Sequence, residues 1–230
     1  MPKDFKSFEQ TIGVEFNEPE LLRQAFTHRS YLNEHRGEVS GHNERLEFLG
    51  DAVLELVVTH FLFEKFPDKA EGDLTAYRAA LVNAVTCAEV AQDIGMNDYL
   101  LLSRGEAKDS GRARSVLLAN ALEALVGALY VDQGYDAARQ FISAHLFPKL
   151  DGILKDRSWQ DPKSALQEKS QDAEGVTPNY KVLAETGPDH AREFTVGVYL
   201  QGTLLSEGTG KSKQEAEQAA AQGALDSKGW

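Results

Sequence analysis

The stretch His42–Asp51, which reads His-Asn-Glu-Arg-Leu-Glu-Phe-Leu-Gly-Asp, determines how the first part of the chain is interpreted. Its acids Glu44, Glu47 and Asp51 are three and four residues apart and lead into an apolar run. On an α-helix this spacing places the three carboxylates within an arc of roughly 60° on one face. Such acids are costly to bury unless a positive charge lies against them. A divalent cation bound by oxygen ligands would supply that charge.

A second apolar segment, Ser115–Val131, carries polar side chains at a matching spacing. Its strongly polar interior residues are Asn120 and Glu123, three positions apart and so on one helix face. If the two helices pack antiparallel with these faces together, four or five oxygens converge. Carboxylate and amide oxygens suit magnesium or manganese, whereas the cysteine pairs and closely paired histidines of a zinc site are absent from the sequence. The alternative is that the acids form ion pairs with arginines such as Arg45 or Arg78.

The first stretch also resembles a known family. Residues Asn43–Asp51 are closely similar to the signature of the ribonuclease III family, whose members cleave double-stranded RNA with magnesium. Thr27–Ser30 resembles a segment that precedes this signature. The resemblance implies Mg²⁺ as the cofactor, or Mn²⁺ in its place. It also implies a shared metal-binding and catalytic set: Glu47, Asp51, Asn120 and Glu123.

Within that set the resemblance implies different roles. Glu47 and Glu123 are expected to ligate the metal, and Asp51 to ligate it or to orient the attacking water. Asp51 and Glu123 are therefore the expected catalytic residues. Glu44 is expected to support the site or to contact a partner subunit. Asn120 departs from the family, which most often has aspartate there; an amide oxygen can coordinate a hard cation but carries no charge, so metal affinity should fall.

Two further residues, Glu71 and His28, can each be interpreted in two ways. Glu71 resembles a family acid near the active site and is predicted to support it, but it can equally be an exposed acid in a turn. His28 can be a ligand or, more commonly for such a residue, a structural hydrogen-bonding partner.

The composition limits the classes of protein to which the chain can belong. The 230 residues allow one large domain or two small ones, and 42% apolar residues are enough for a core. One cysteine, no apolar N-terminal stretch and apolar runs interrupted by polar residues predict a cytoplasmic protein without a membrane segment. The net charge of −12 disfavours nucleic acid as a partner without excluding local basic patches.

Residues 1–155 are predicted to be all-α, because no convincing period-2 alternation occurs there, and the resemblance implies that they form the endonuclease domain. We expect residues 156–161 to be a linker. The helices are predicted at Phe8–Phe16, from Glu20, from Glu44 to about Phe66, from Leu74 to Gly95 with Asp73 as its cap, at Ser115–Val131 and at Tyr135–Leu150.

Residues 162–230 are predicted to form a small α+β domain with the order α-β-β-β-α. A helix from Lys163 is followed by alternating strand patterns, of which the second and third are joined through Gln201-Gly202. An alanine-rich helix closes the chain. The order and the segment Gly208–Ala221 resemble the double-stranded RNA-binding domain.

The start of the last helix is suited to binding phosphate. Ser212 can cap it with Glu215 completing a capping box, and its free N–H groups lie beside Lys211 and Lys213. The family often has two adjacent lysines where this chain has Lys213 and Gln214, which should reduce phosphate affinity. The predicted RNA-binding residues are Gln167, Glu168, His190, Lys211, Ser212 and Lys213.

The charge balance of this domain argues against RNA binding, since residues 161–230 contain seven Lys/Arg and eleven Asp/Glu. The resemblance nevertheless implies a homodimeric endoribonuclease that processes ribosomal RNA precursors and structured messages, leaving 5′-phosphate and 3′-hydroxyl ends. One alternative is a duplex-RNA-binding protein whose metal site is weakened or inactive because of Asn120. A weaker one is a helical scaffold whose acids serve only in ion pairs.

Overall fold

The computed structural model of the chain describes residues 3–35, 37, 40–156, 159–188 and 192–230. They form two compact units, one extending to Trp159 and one from Gln160 to Trp230. The regular structure described in the first unit is helical, which confirms the predicted all-α class. Its α-helices are α1 (Phe5–Ile12), α2 (Pro19–Ala25), α3 (Arg29–Glu34), α4 (Glu44–Lys65), α5 (Glu71–Val82), α6 (Ala84–Asp93), α7 (Arg112–Gln133), α8 (Tyr135–His145) and α9 (Lys149–Lys155).

Helices α4 and α7 form the centre of the first unit. Gly50 lies against the Glu123 carbonyl and Gly127 against the Leu46 carbonyl, so closely that a Cβ at either glycine would overlap the facing oxygen. The order of these two contacts shows that the helices run antiparallel. Only glycine, which has no side chain, allows two backbones to approach this closely.

Helix α7 is apolar on nearly every side because other helices surround it. Its buried side chains include Leu118, Leu122, Leu125 and Leu129, which belong to the main hydrophobic core. Among the described helices it alone is long and apolar enough to cross a membrane, a test that core helices of soluble proteins also pass. Its packing accounts for its composition.

Three predicted helix boundaries in the first unit are wrong. The first helix ends at Ile12, where Gly13 adopts a left-handed conformation with φ of 67°. The predicted helix to Gly95 is two helices, because Asn83 is extended and its side chain caps α6 by accepting a hydrogen bond from Thr86 N at 2.9 Å. Asp73 is not a cap, since α5 already begins at Glu71.

The helix predicted at Tyr135–Leu150 also divides. Helix α8 ends at His145, and α9 begins at Lys149 directly after Pro148. Proline is accepted at a helix start but not in its interior, where it removes a backbone hydrogen bond. The exact bounds of the linker at residues 156–161 stay a prediction.

The second unit contains α10 (Pro162–Glu174), β1 (Asn179–Thr186), β2 (Glu193–Leu200), β3 (Thr203–Gly210) and α11 (Lys213–Lys228). This confirms the predicted α-β-β-β-α order. The strands form an antiparallel sheet in the order β1-β2-β3. Gln201 and Gly202 both have positive φ, 50° and 83°, as a tight two-residue hairpin turn requires.

The core of the second unit is small and lies between the sheet and its two helices. Leu166 of α10 and Val198 of β2 are fully buried against the alanine face of α11. The small alanine side chains let the helix lie close to the sheet, and they leave its opposite, polar face for a partner.

Candidate functional site

The contact between α4 and α7 brings the two predicted sets of polar side chains together. Asn120 and Glu47 line the same cavity, and the Asn120 amide lies close enough to the Glu47 carboxylate to lower its pKa. Glu123 lies close enough to Asp51 and Glu47 for both carboxylates to raise its pKa. The four residues predicted for the metal-binding and catalytic set therefore form one cluster.

The electrostatics of the cluster are those of crowded carboxylates. Burial, followed by the negative charges of Asp51 and Glu47, raises the pKa of Glu123 to about 7. Burial and the charge of Glu44 also raise the pKa of Glu47, against the lowering effect of the neighbouring Asn120 amide. A cation among these groups would relieve the repulsion and favour the ionised forms of both acids.

A cavity of about 330 Å³ opens beside Glu47 and Asn120. Its wall also includes His28, Arg29 and Glu44. Arg29 Nη1 lies 3.5 Å from Glu44 Oε1, so the cavity contains positive as well as negative charge. Asp51 is one helical turn further along α4 and exposed, within reach of solvent.

The donor set suits a hard divalent cation, because all of its side chains offer oxygen. Among the described residues, no three His, Cys, Asp or Glu side chains lie close enough together to hold a metal ion by themselves. The amide oxygen of Asn120 and water would complete the ligands of an ion held by fewer than three of these carboxylates.

The arginines considered as alternative partners are placed elsewhere. Arg78 Nε pairs with Glu55 at 2.9 Å, and Arg45 is exposed at the outer side of α4. In the described part of the chain, neither forms an ion pair with Glu47, Asp51 or Glu123. These acids are therefore not neutralised by the arginines that the sequence offered.

Two other predicted residues differ in their placement. Glu71 is the exposed first residue of α5 and accepts a hydrogen bond from Thr75 Oγ1 at 2.8 Å; no contact described here joins it to the cluster. His28 caps α3, with its Nδ1 2.8 Å from Ser30 Oγ, and also lines the cavity. His28 therefore has the structural hydrogen-bonding role, and it also lies in the wall of the cavity.

Sequence reasoning missed two neighbours of the cluster. Asn43 is almost fully buried and lines the cavity, and its position directly before the acidic stretch is a signal that could have identified it. Cys87 of α6 lies beneath the carboxylates: burial, Glu123 and Asp51 together raise the pKa of its thiol to about 12. No sequence spacing links Cys87 to α4 or α7.

The start of α11 has the predicted cap with one difference. Ser212 Oγ accepts a hydrogen bond from Glu215 N at 3.1 Å. The Glu215 carboxylate, however, accepts from the backbone N–H of Lys211 at 2.9 Å instead of that of Ser212. Both interactions hold the Lys211–Lys213 segment against the helix terminus.

Lys213 is already paired within its own unit. Its Nζ lies 3.1 Å from Glu185 Oε1 and 5.5 Å from the centre of the Phe194 ring. Glu185 also lies 3.5 Å from Arg192 Nη1. The remaining predicted RNA contacts, Gln167 and Glu168, are exposed on α10, while His190 lies outside the described residues.

Comparison with known proteins agrees with this architecture. Residues 18–150 match the family described as Ribonuclease-III-like, and residues 162–228 match the double-stranded RNA binding motif. Ribonuclease 3 of Bacillus licheniformis is 49% identical over 224 residues, covering 97% of this chain and 89% of the relative. Ribonuclease 3 of Bdellovibrio bacteriovorus is 46% identical, covering 97% and 95%.

A solved structure of the nuclease domain of ribonuclease III from Campylobacter jejuni is 40% identical to the matched region. It covers 63% of this chain and 99% of that domain, with a TM-score of 0.57. Fold and matches together define an endoribonuclease with an attached double-stranded RNA-binding domain. The chain belongs to the ribonuclease III family, whose members are generally metal-dependent.

Proposed function

We propose that the chain hydrolyses phosphodiester bonds of double-stranded RNA with a magnesium ion, or manganese in its place, at the cluster between α4 and α7. The products would be 5′-phosphate and 3′-hydroxyl ends with short 3′ overhangs. The observation that carries the proposal is the convergence of Glu47, Asp51, Asn120 and Glu123, in which the pKa of Glu123 is raised to about 7.

The residues have distinct tasks in this proposal. Glu47, Asn120 and Glu123 would hold the ion, and Asp51, exposed one turn along α4, would ligate it or orient the water. A bound divalent cation supplies Lewis-acid activation of the water and stabilises the charge that develops on the phosphate. Glu44 and Arg29 form an exposed ion pair in the wall of the cavity.

The second unit would bring duplex RNA to the site. Its free helix terminus at Ser212, with Lys211 and Lys213, suits a phosphate backbone, and such domains recognise duplex RNA by shape and 2′-hydroxyls rather than by sequence. Ribosomal RNA precursors and structured messages are the proposed substrates. A cytoplasmic location is proposed with them, and a buried, unpaired Cys87 suits that reducing compartment.

We also propose that the chain acts as a homodimer. Phe48, Leu56 and Phe63 are all more than half exposed on α4, and their spacing of eight and seven residues places them on one face. Large exposed apolar side chains in a row indicate a surface that another protein covers. The Campylobacter jejuni structure concerns a region involved in dimer formation of that nuclease domain.

The alternative function is duplex-RNA binding without cleavage, and Asn120 is the observation that favours it. Incubating the full chain with duplex RNA, with and without magnesium, separates the possibilities. Metal-dependent fragments that Glu123→Gln abolishes, and that Glu20→Gln at an exposed residue of α2 leaves unchanged, support the enzyme. If the chain binds duplex RNA but produces no fragments, the alternative is supported. If it neither binds nor cleaves the RNA, only the helical scaffold remains.

The role of Asn120 is tested by Asn120→Asp, which restores the acid most common in the family. If Asn120 weakens the metal site, the variant cleaves faster than the natural chain at low magnesium. An unchanged cleavage rate would show that the Asn120 amide does not limit metal-dependent cleavage, and it would contradict the proposed effect of this residue.

A further inference from the structure

A second cavity of about 740 Å³ lies in the first unit; it shares Leu100 and Leu102 with the cavity beside Glu47, but none of the four cluster residues lines it. Five of its lining residues define what we call the cationic pocket: Lys3, Arg23, Tyr31, His35 and Arg114. None of the described residues that line it is an Asp or Glu. In a chain with a net charge of −12, a cavity with three cations and no carboxylate is unusual and favours an anionic ligand.

Arg114 supplies the sharpest evidence. Its Nη2 donates a hydrogen bond to the Ala107 carbonyl at 3.2 Å, which fixes the guanidinium. Its Nη1 is buried and has no hydrogen-bond partner among the residues that the structure describes. Leaving a buried donor of a charged group unpaired is costly, so the arrangement indicates that an acceptor belongs there. Guanidinium groups bind phosphate oxygens particularly well, because their fork of N–H donors matches two oxygens.

Another part of the wall is aromatic. The rings of Tyr31 and His35 lie parallel, 4.0 Å apart and inclined by 8°. Lys3 is anchored by a hydrogen bond from its ammonium to the Asp98 carbonyl, which holds it at the pocket. A flat aromatic wall can stack on a nucleobase, and a cavity of this size is within the range of small-molecule sites.

We propose that the cationic pocket binds a nucleoside polyphosphate, with the phosphates on Arg23 and Arg114 and the base beside Tyr31 and His35. A lone inorganic anion would leave the aromatic wall unused, and a nucleoside would leave the guanidinium unpaired. The cationic pocket adjoins the cavity of the proposed cleavage site through Leu100 and Leu102, but its charged and aromatic residues are different ones, and the proposal does not depend on whether the cleavage site is active.

Calorimetric titration of the full chain in EDTA tests the proposal with ADP, adenosine and pyrophosphate as separate probes. ADP is expected to bind more tightly than either of the others. Arg23→Gln, which removes one charge-assisted contact, should weaken ADP about tenfold. Lys6→Gln is the matched control, because Lys6 is exposed on α1 and does not line the pocket; it should leave ADP affinity unchanged.

Any of the following results would overturn the proposal. The first is the absence of ADP binding at millimolar concentration. The second is equal binding of ADP and pyrophosphate, or equal ADP affinity in Arg23→Gln and the natural chain. The third is that duplex RNA displaces bound ADP from the natural chain but not from Arg23→Gln. This result would assign the pocket to RNA backbone phosphates instead. Unchanged unfolding temperatures of both variants without ligand confirm that the comparison is between folded proteins.

Discussion

The side chains of Glu47 and Asn120 lie close together across the two central helices of the nuclease unit, and both line the same cavity. Their proximity joins the acidic face of α4 to the polar face of α7, and it places the member of the predicted metal-binding set that departs from the family pattern beside a predicted metal ligand. The strength of the metal site therefore depends on an amide where a carboxylate would add charge.

The first prediction concerns the close approach of the two helices. Gly50→Ala places a methyl group on the Glu123 carbonyl, so α4 and α7 must separate. Urea unfolding of the nuclease unit should show a loss of about 1–3 kcal/mol, typical of overpacking, and cleavage should fall because Glu123 moves. Gly72→Ala is the control: nothing lies within 4 Å of its Cβ, and the exposed helix should be unchanged or slightly stabilised. Equal stability of both variants would show that the helices are not in contact there.

The second prediction concerns pH. Because the pKa of Glu123 is raised from 4.5 to about 7, its contribution to the free energy of unfolding is fully present below pH 4.5 and is lost as pH rises through 7. In EDTA the natural chain should lose stability over this range more steeply than Glu123→Gln. The partial exposure of the side chain limits the size of the effect. Parallel pH profiles of the two proteins would contradict a raised pKa.

The third prediction concerns the RNA-binding unit. Glu185 must release Lys213 before that lysine can contact phosphate, so Glu185→Gln should bind duplex RNA several-fold more tightly, as expected for loss of a partly exposed ion pair. Lys213→Gln should weaken binding and lower the salt dependence by about one unit in slope. Glu207→Gln removes a charge from exposed β3 and is the control. If both glutamate variants bind equally, Glu185 acts only through net charge.

The fourth prediction concerns the exposed face of α4. Phe48 has 82% of its surface exposed, and a large aromatic residue in a dimer contact commonly contributes 2 kcal/mol or more. Phe48→Asp should therefore weaken dimerisation at least about thirtyfold in sedimentation experiments. Val85→Asp, at a similarly exposed apolar residue on α6, should leave it unchanged. A monomeric natural chain, or equal effects of both variants, would exclude this face as the dimer contact.

Much of the fold follows from local patterns. The acids of α4 and the polar pair of α7 have helical spacing within apolar segments, and the hairpin at Gln201-Gly202 has the turn chemistry that its conformation requires. The family resemblance added what spacing cannot provide, namely which of these acids carry chemistry.

The remaining features depend on contacts between distant residues. The chain breaks between α5 and α6 because the Asn83 side chain caps a new helix instead of continuing the old one. The hydrophobic periodicity of the sequence is the same in both cases and does not predict this break. The pairing of Glu185 with Lys213 joins positions 28 residues apart through the sheet. Cys87 reaches the carboxylates only because α6 packs on α7.

The central claim is that Glu47, Asp51, Asn120 and Glu123 form one divalent-cation site. Calorimetric titration of the full chain with Mn²⁺ tests it directly, using the natural protein, Asn120→Asp and Glu123→Gln. An added carboxylate should tighten binding about tenfold in Asn120→Asp, and loss of a ligand should weaken it at least tenfold in Glu123→Gln. The same Mn²⁺ affinity in all three proteins would show that the ion, if bound, is held elsewhere.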